Sequence, residues 1–217
     1  MRVAAFVDGF NLYHSIDDLG KNYLKWVNLR RLCEVFAPRP QFDLVNVFYF
    51  SAYATWLPDA YKRHREFVRA LQAVRVTPVM GNFKEKDRHC RRCGASWKAH
   101  EEKETDVNIA IHLLREAHRD SFDRALVLTA DSDLSPALRL FRQEFPGKGL
   151  MLITPAGRFS RNLTNAVGGK KHCGRIREFH IERSLLPREL ADSSGSVVAV
   201  RPVEYDPPSG IRPAPTT

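Results

Sequence analysis

Three aspartates follow predicted strands, where an α/β protein builds its active site. Asp131 and Asp133 come directly after one apolar run, and Asp8 ends another. Ligands of open α/β sheets bind outside the carboxyl ends of the strands, so these side chains are expected to lie close together. Carboxylates gathered there without a dedicated base indicate a divalent-metal site that acts on phosphates.

A fourth carboxylate, Asp106, opens the most regular helical pattern of the chain. Its position four residues before Ala110 turns it toward the buried side of that helix, where a carboxylate needs a cation or a hydrogen-bond donor. The alternative is an ordinary acidic first turn with Thr105 as the N-cap.

Asn11 lies three residues after Asp8 and can point back toward it. Its amide oxygen can bind a metal, or its amide group can hold a water or a phosphate oxygen. The alternative is that Asp8 and Gly9 form an ordinary turn with Asn11 as a cap.

The helix after Asp131 and Asp133 already begins at Ser135, which a proline follows, so the two aspartates are not expected to be its caps. Two carboxylates this close repel each other unless a metal lies near them. Ser132 and Thr129 can donate hydrogen bonds that orient them. The alternative is a polar loop. Together the four aspartates predict a site for one or two Mg²⁺ or Mn²⁺, which would activate water for in-line attack on phosphorus.

Other phosphate and acyl chemistries lack their motifs. The chain has no GxxxxGK[ST] phosphate-binding loop and no GxSxG nucleophile turn. A phosphatase with an aspartate nucleophile typically has a second aspartate two residues later, but Phe10 stands there after Asp8.

Apolar runs and helix-period patterns alternate along the chain. Strands are predicted at residues 2–7, 44–50, 76–80, 124–129 and 149–154, with a less regular sixth at 175–180. Helices are predicted at 28–36, 60–74, 107–117, 134–145 and 160–167. This alternation predicts an α/β fold with a central, mostly parallel sheet covered by helices.

The composition changes near the C-terminus. From about Ala191 onward Ser, Gly and Pro dominate, so residues 1–185 are predicted to form one domain and 186–217 a largely disordered tail. Val197–Val200 is a candidate edge strand within that tail.

Residues 81–102 interrupt the α/β rhythm as an insert. Cys90 and Cys93 have the CxxC spacing of a zinc knuckle, with His100 as a third and His89 as a fourth candidate ligand of Zn²⁺. Cys33, Cys173 or a carboxylate could also complete the site. Plain thiols and a redox pair are the alternatives.

A net charge of +9 favours a polyanionic partner, and nucleic acid is favoured over membrane. Cations cluster in the insert and again after the fifth strand, where Arg158, Arg161, Lys170 and Lys171 are candidate substrate-binding residues. The alternative is a solvated face. Aromatic side chains that stack unpaired bases would favour single-stranded RNA, and the candidates are Tyr13, Phe83, Trp97 and Phe159. The alternative for each is packing in the core or at the rim.

The remaining composition bounds the class of protein. The chain has 217 residues, 43% of them hydrophobic, and four cysteines that do not form a secreted disulfide framework. No apolar run approaches the roughly 20 residues of a membrane span, and no signal peptide precedes the first strand. A cytoplasmic protein with no membrane contact is therefore expected, with homo-oligomerisation left open.

Three motifs in this order resemble the NYN domain family, the LabA-like members of the PIN-like nuclease superfamily. They are Asp8-Gly-Phe-Asn11, Lys103-Glu-Thr-Asp-Val-Asn-Ile-Ala110 and Leu128-Thr-Ala-Asp-Ser-Asp-Leu-Ser-Pro136, and the resemblance covers roughly residues 2–183. It implies a PIN-like three-layer α/β/α sandwich and metal-dependent ribonuclease activity.

The acidic positions of the family pattern fall on Asp8, Asp106, Asp131 and Asp133, with Asn11 in support. Two mild departures leave these acids intact, because Ala130 stands where many members have Gly and Leu134 where many have Phe. The sequence therefore predicts a metal-dependent ribonuclease. The alternatives are a non-catalytic RNA-binding or regulatory module and a DNA- or nucleotide-directed phosphohydrolase on the same scaffold.

Overall fold

The computed structural model describes residues 1–192 and 194–210. Its strands are β1 (Arg2–Asp8), β2 (Asp43–Ala52), β3 (Thr77–His89), β4 (Ser96–Lys103), β5 (Arg124–Leu128), β6 (Gly149–Thr154), β7 (Cys173–Arg175), β8 (Glu189–Ala191) and β9 (Val197–Val200). Its α-helices are α1 (Gly9–Asp17), α2 (Leu29–Glu34), α3 (Pro58–Ala73), α4 (Thr105–His118), α5 (Ser135–Glu144), α6 (Arg161–Ala166) and α7 (Glu178–Glu182). Short 3₁₀ turns include Asn22–Lys25, Ser132–Leu134, Lys170–His172 and Val203–Tyr205.

One sheet of seven strands organises the molecule, in the order β4-β3-β2-β1-β5-β6-β7. All neighbouring pairs are parallel except β3 with β4, which form an antiparallel hairpin. β2, β3 and β4 lie on one side of β1, and β5, β6 and β7 lie on the other. The strand order therefore reverses between β1 and β5, and such a switch point leaves a crevice at the carboxyl ends of both strands.

Helices cover both faces of this sheet because β1 is apolar on both sides. Val3, Ala5 and Val7 pack in a core with α1, α2, α3 and α7. Ala4 and Phe6 pack in a second core with α4, α5 and α6. The predicted three-layer α/β/α sandwich is thereby confirmed. Within the described residues, no helix is long and apolar enough to cross a bilayer.

The sixth predicted strand, at residues 175–180, is wrong. β7 ends at Arg175, and α7 begins three residues later at Glu178. The N–H of Ile176 still donates to the Thr154 carbonyl, but the chain then turns so that Ile181 enters the core beside α2. The sequence of this segment alternates like a strand, but burial of Ile181 favours a short helix instead.

Two strands form in the part of the chain where a largely disordered tail was expected. β8 and β9 pair as an antiparallel hairpin that packs on α3. Its Leu190 and Ala199 are buried with Trp26 and Ala70, and the Val200 N–H donates to Glu66 Oε1 at 2.7 Å. Val197–Val200 is thus a strand, although it does not join the main sheet. The domain boundary at residue 185 stays a prediction, and residues 211–217 lie outside the described chain.

Candidate active site

Asp8 ends the central strand β1 and is only 2% exposed. Its Oδ1 accepts the Asn11 N–H at 3.0 Å, and its Oδ2 accepts Asn11 Nδ2 at 2.7 Å and the Thr129 hydroxyl at 2.8 Å. Burial raises the pKa of Asp8, while these three donors oppose the rise. Asp8 is therefore both the N-cap of α1 and a carboxylate at the switch point. α1 was not among the predicted helices, because its capping motif resembles an isolated turn.

Asn11 joins the two strand ends that flank the crevice. While its amide nitrogen donates to Asp8, its Oδ1 accepts the Ala130 N–H at 3.2 Å. The Thr129 hydroxyl, which donates to Asp8, accepts the Asp131 N–H at 3.0 Å. Both ends of the Asn11 amide are thus engaged within the protein. Its observed role is to hold the end of β1 against the loop after β5.

Asp131 caps the 3₁₀ turn Ser132–Leu134, whose end continues into α5. Its Oδ1 accepts the Asp133 N–H at 3.0 Å, so the expectation that neither aspartate is a cap was wrong. The reason is that the turn begins three residues before the Ser-Pro pair. The carboxylate of Asp133 is exposed and accepts no hydrogen bond from the described residues.

Asp106 lies in the first turn of α4 and is half-buried. The alternative in which Thr105 is the N-cap does not hold. Glu104 takes that position with φ of 78°, and the Glu102 carboxylate accepts the Thr105 N–H at 3.0 Å and also its hydroxyl. No donor among the described residues reaches the carboxylate of Asp106.

The pKa of Asp106 is raised to about 7. Burial is the largest cause, followed by the negative charges of Asp131, Asp8, Glu102 and Asp133. Asp106 therefore lies within electrostatic reach of these carboxylates. Asp8 and Asp131 lie at neighbouring strand ends and are joined through the Thr129 hydroxyl.

The aspartates offer hard oxygen donors that suit Mg²⁺ or Mn²⁺. Within residues 1–192 and 194–210, no three metal-ligating side chains are close enough to hold an ion as they stand. Asp106 and Asp133 accept no hydrogen bond from the described protein, so their carboxylates can turn toward a cation that would relieve their repulsion. The chemistry of the donor set thus fits a divalent ion.

Gly9, the first residue of α1, packs directly against the backbone of β2. A Cβ built at this position would lie 2.6 Å from the Phe50 carbonyl oxygen and 2.6 Å from Tyr49 Cε2. The carbonyl belongs to the sheet backbone and cannot move aside. We expect Gly9→Ala to lower the free energy of unfolding by about 2–3 kcal/mol, the cost of overpacking. Urea denaturation measures this loss. Gly147→Ala is the matched control, because no atom lies within 4 Å of its Cβ position, and an equal loss there would contradict the steric argument.

The four predicted substrate-binding cations divide into two pairs. Arg158 pairs with Asp18 just after β6, and Arg161 begins α6, so both lie near the carboxyl ends of the strands. α6 then runs back along the sheet, and Lys170 and Lys171 form the 3₁₀ turn before β7. Because β7 is parallel to β6, that turn lies toward the amino ends. Grouping all four cations at one site was therefore wrong for Lys170 and Lys171.

A polar cleft of about 540 Å³ separates the start of α5 from α6, directly beside Asp133. Its lining includes Ser132, Asp133, Ser135, Arg139, Asn162 and Asn165. Among the buried side-chain nitrogen and oxygen atoms of the described residues, only the Ser135 hydroxyl has no hydrogen-bond partner. The asparagines were missed by sequence reasoning, although their spacing of three residues on α6 puts both on one helix face.

The insert is a β-hairpin that extends β3 and β4 beyond the carboxyl edge of the sheet. Cys90 and Cys93 lie in its tip. The register pairs His89 with Ser96 but Glu85 with His100, which puts His100 about 13 Å along β4 from the tip. His100 instead stacks on Trp56, with ring centroids 3.7 Å apart. Its assignment as a zinc ligand with the two cysteines was wrong.

Cys33 and Cys173, the other two cysteines considered as zinc ligands, are also distant from the tip. Cys33 is buried in the core, where burial raises its pKa to about 12, and Cys173 lies on β7 at the opposite end of the sheet. His89 Nδ1 instead lies 2.9 Å from the Ser96 hydroxyl. The described chain thus does not supply a closed four-ligand set of the kind that structural zinc requires.

An aromatic cavity of about 550 Å³ opens on the other side of Asp8. We call it the α1–α3 cavity, because α1, β2 and α3 form most of its wall. Gly9 and Glu102 line it, which places its rim beside Asp8 and the first turn of α4. Tyr205 from the C-terminal segment closes another side.

Comparison with known proteins identifies the family. The model of the NYN domain matches residues 2–168. The chain belongs to the NYN domain family. NYN domains form part of the PIN-like nuclease superfamily, whose members act on nucleic acids and generally use divalent metals. The matched residues include both β1 and β5, which flank the crevice.

Two proteins of known name are similar to this chain. The Low amplitude and bright protein LabA of Synechococcus elongatus is 23% identical over 195 residues, which cover 88% of this chain and 94% of LabA. A 6-hydroxy-3-succinoylpyridine 3-monooxygenase, HspA of Pseudomonas putida, is 24% identical over 178 residues; the match covers 65% of this chain and 56% of HspA.

A solved structure agrees with the fold. The crystal structure of a protein of unknown function from Vibrio parahaemolyticus has a TM-score of 0.56 to this chain at 18% identity, covering 82% of this chain and 93% of that one. At this identity the likeness bears on the fold alone, which it shares with this NYN domain.

Proposed function

We propose that this NYN domain is a metal-dependent ribonuclease that hydrolyses phosphodiester bonds of RNA. Asp106, Asp131 and Asp133 would hold Mg²⁺ or Mn²⁺ in the crevice, and Asp8 would complete the site from β1. The observation that carries the proposal is the placement of Asp8 and Asp131 at neighbouring strand ends, where the Thr129 hydroxyl donates to Asp8 and accepts the Asp131 N–H. The raised pKa of Asp106, which has burial as its largest cause and the charges of these aspartates after it, supports the proposal. Asn11 and Thr129 would act as positioning residues that fix the Asp8 carboxylate.

The bound ion would lower the pKa of a coordinated water and stabilise negative charge on the phosphate. The protein would supply the rest. The buried hydrogen bonds at Asp8 keep the end of β1 and the loop after β5 rigid, and the free carboxylates of Asp106 and Asp133 can accept a hydrogen bond from the attacking water. Arg139 in the cleft beside Asp133 would bind a neighbouring phosphate of the RNA chain.

The surfaces around the crevice favour a nucleic-acid substrate. The overhanging β3–β4 hairpin carries many cations, but Lys86 and Arg88 are paired with Glu101, and Lys98 is paired with Glu85. Other hairpin cations, among them Lys84, Arg91 and Arg92, carry no ion pair to the described residues. A backbone that passes from the hairpin to Arg139 would cross the acidic crevice between them.

A second candidate is action on a free heteroaromatic ring. It is favoured by the aromatic α1–α3 cavity beside the crevice and by the name of the HspA relative, a monooxygenase of a substituted pyridine. Consumption of a hydroxypyridine by the purified chain in air with a reduced nicotinamide cofactor as electron donor, together with no cleavage of RNA, would select this candidate.

Labelled single-stranded RNA, single-stranded DNA of the same sequence and mononucleotides, each incubated with Mn²⁺, test the proposal. We expect cleavage of the RNA that EDTA abolishes and that Mn²⁺ restores. Faster turnover of DNA or mononucleotides than of RNA would favour a DNA- or nucleotide-directed phosphohydrolase. RNA binding with no turnover under Mg²⁺ or Mn²⁺ would contradict the enzyme and favour a binding module.

A further inference from the structure

The α1–α3 cavity has the size and lining of a site for a small ring. Its volume of about 550 Å³ falls within the roughly 300–1,000 Å³ of small-molecule sites. Tyr49, Phe67 and Phe83 contribute aromatic walls, and Ala52 and Ala60 leave the space between them open. A flat apolar ligand would bury both of its faces there.

One aromatic wall is held in place by its own packing. The Phe83 ring meets Phe10 edge to face at 5.5 Å and Trp56 at 4.7 Å. Trp56 in turn stacks in parallel on His100, with an interplanar angle of 8°. These rings are therefore fixed before any ligand enters, which lowers the entropy lost on binding.

The inner end of the cavity is polar but uncharged. The Tyr49 hydroxyl lies 3.0 Å from His64 Nε2, and burial lowers the pKa of His64 to about 4, so its imidazole is neutral at neutral pH. The buried Ser51 lines the same wall. Neutral groups that both donate and accept suit the polar edge of a heteroaromatic ring and exclude a charged one.

The charged groups of the cavity lie on its α1, α3 and β4 sides. Arg63 donates a hydrogen bond to Glu204 at 3.3 Å, and Lys25 pairs with Asp17. Glu102, which also lines the cavity, caps the first turn of α4 where Asp106 lies. The rim of the cavity is thus next to the first turn of α4, where Asp106 lies.

We propose that the α1–α3 cavity binds a planar heteroaromatic ring, which is a base of the RNA substrate if the proposed function holds. The cavity would position the nucleotide next to the scissile phosphate, and the C-terminal segment would contribute a wall of the site through Tyr205. This inference rests on the proposed function for the source of the ring, but not for the binding of the ring itself.

Calorimetric titrations in EDTA test the cavity without any nuclease activity. The probes are 5′-AMP and 5′-UMP, the free bases adenine and uracil, and ribose 5-phosphate, which has no base. We expect the nucleotides to bind at least about tenfold more tightly than ribose 5-phosphate, because the ring supplies the stacking. Tighter binding of the free bases than of the nucleotides would assign a free ring as the ligand. Equal binding of AMP and ribose 5-phosphate would overturn the proposal.

Ala60→Trp fills the cavity from α3 and should weaken binding of the preferred ring by about tenfold or more. Ala73→Trp is the matched control, since Ala73 is exposed on the same helix and does not line the cavity, and ring binding by this variant should be unchanged. Phe83→Ala, which removes one ring face, replaces Ala60→Trp if that variant does not unfold cooperatively. Wild-type affinity in a folded cavity variant would overturn the proposal.

RNA cleavage by the same proteins separates the two proposals. Base-dependent binding without cleavage in Mn²⁺ keeps the cavity assignment and contradicts the ribonuclease. Cleavage without base-dependent binding contradicts the cavity assignment and keeps the ribonuclease. If both hold, Ala60→Trp should lower kcat/KM for RNA by about tenfold with the metal requirement unchanged.

Discussion

Asp106→Asn is expected to reduce Mn²⁺-dependent cleavage of RNA by about 10³-fold, or roughly 4 kcal/mol of transition-state stabilisation. The substitution is the most direct test of the carboxylates, because Asp106 accepts no hydrogen bond from the described protein and asparagine has nearly the same shape. Asp8→Asn would be harder to interpret, since three donors converge on the Asp8 carboxylate and would then meet an amide. Single-turnover cleavage of labelled RNA measures the effect.

Asp59→Asn is the matched control for this loss. Asp59 also lies in the first turn of a helix, and its substitution changes the net charge equally, but its carboxylate is exposed and is not among the charges that raise the pKa of Asp106. Its cleavage rate should equal that of the wild type. A rate within about threefold of wild type for Asp106→Asn would show that the reaction does not use this carboxylate.

The second large effect is a gain of stability in Asp106→Asn without metal. The folded pKa of Asp106 is about 7, against 3.8 for the unfolded chain, so the folded state binds more protons between these values. Stability from this group is therefore full below about pH 4 and is lost as the pH rises through 7. Removing the charge should stabilise the metal-free protein at pH 8 by about 1–2 kcal/mol, after allowance for partial exposure, and by almost nothing at pH 4.

With a divalent metal bound, the wild type should become more stable than Asp106→Asn. At about 100 times its Kd, an ion bound only to the folded state adds about 2.7 kcal/mol, or about 5–10 °C in Tm for a chain of this size. The wild type should show this shift with Mn²⁺ at pH 8, while Asp106→Asn should show little of it. Differential scanning fluorimetry with EDTA and with Mn²⁺ measures both effects. Equal shifts in the two proteins would contradict a metal site at Asp106.

Periodic elements and the placement of Asp8 and Asp131 at neighbouring strand ends were predictable from the sequence. Two buried faces make β1 a continuous apolar run, and the amphipathic spacing of α3, α4 and α5 follows from one face against the sheet. Strand ends in such a fold meet at one edge, which is why Asp8 and Asp131 could be grouped from their positions in the sequence alone.

Features that depend on chain path or register were not predictable. His100 appeared close to the cysteines in sequence, but antiparallel pairing with Glu85 carries it toward Trp56. Lys170 and Lys171 follow Arg161 closely, yet α6 carries them away from the crevice. Only a few apolar side chains anchor the C-terminal hairpin, too few to stand out in a segment rich in Ser, Gly and Pro.

Capping was the other source of error, because it depends on a single hydrogen bond. The Asp131 carboxylate accepts the N–H of Asp133, although Ser135 and Pro136 offered a sufficient helix start. An aspartate can thus serve as a cap and still present its second oxygen to the crevice. Local sequence rules cannot distinguish these two uses, since both need the same residue at a strand end.

Diffraction from a crystal grown with Mn²⁺, recorded at the manganese absorption edge, tests the metal site most directly. We expect an anomalous peak in the crevice between β1 and β5, in contact with carboxylate oxygens of Asp106, Asp131 and Asp133. An empty crevice in a crystal that binds Mn²⁺ elsewhere, or a peak that none of these aspartates touches, would contradict the proposed metal site.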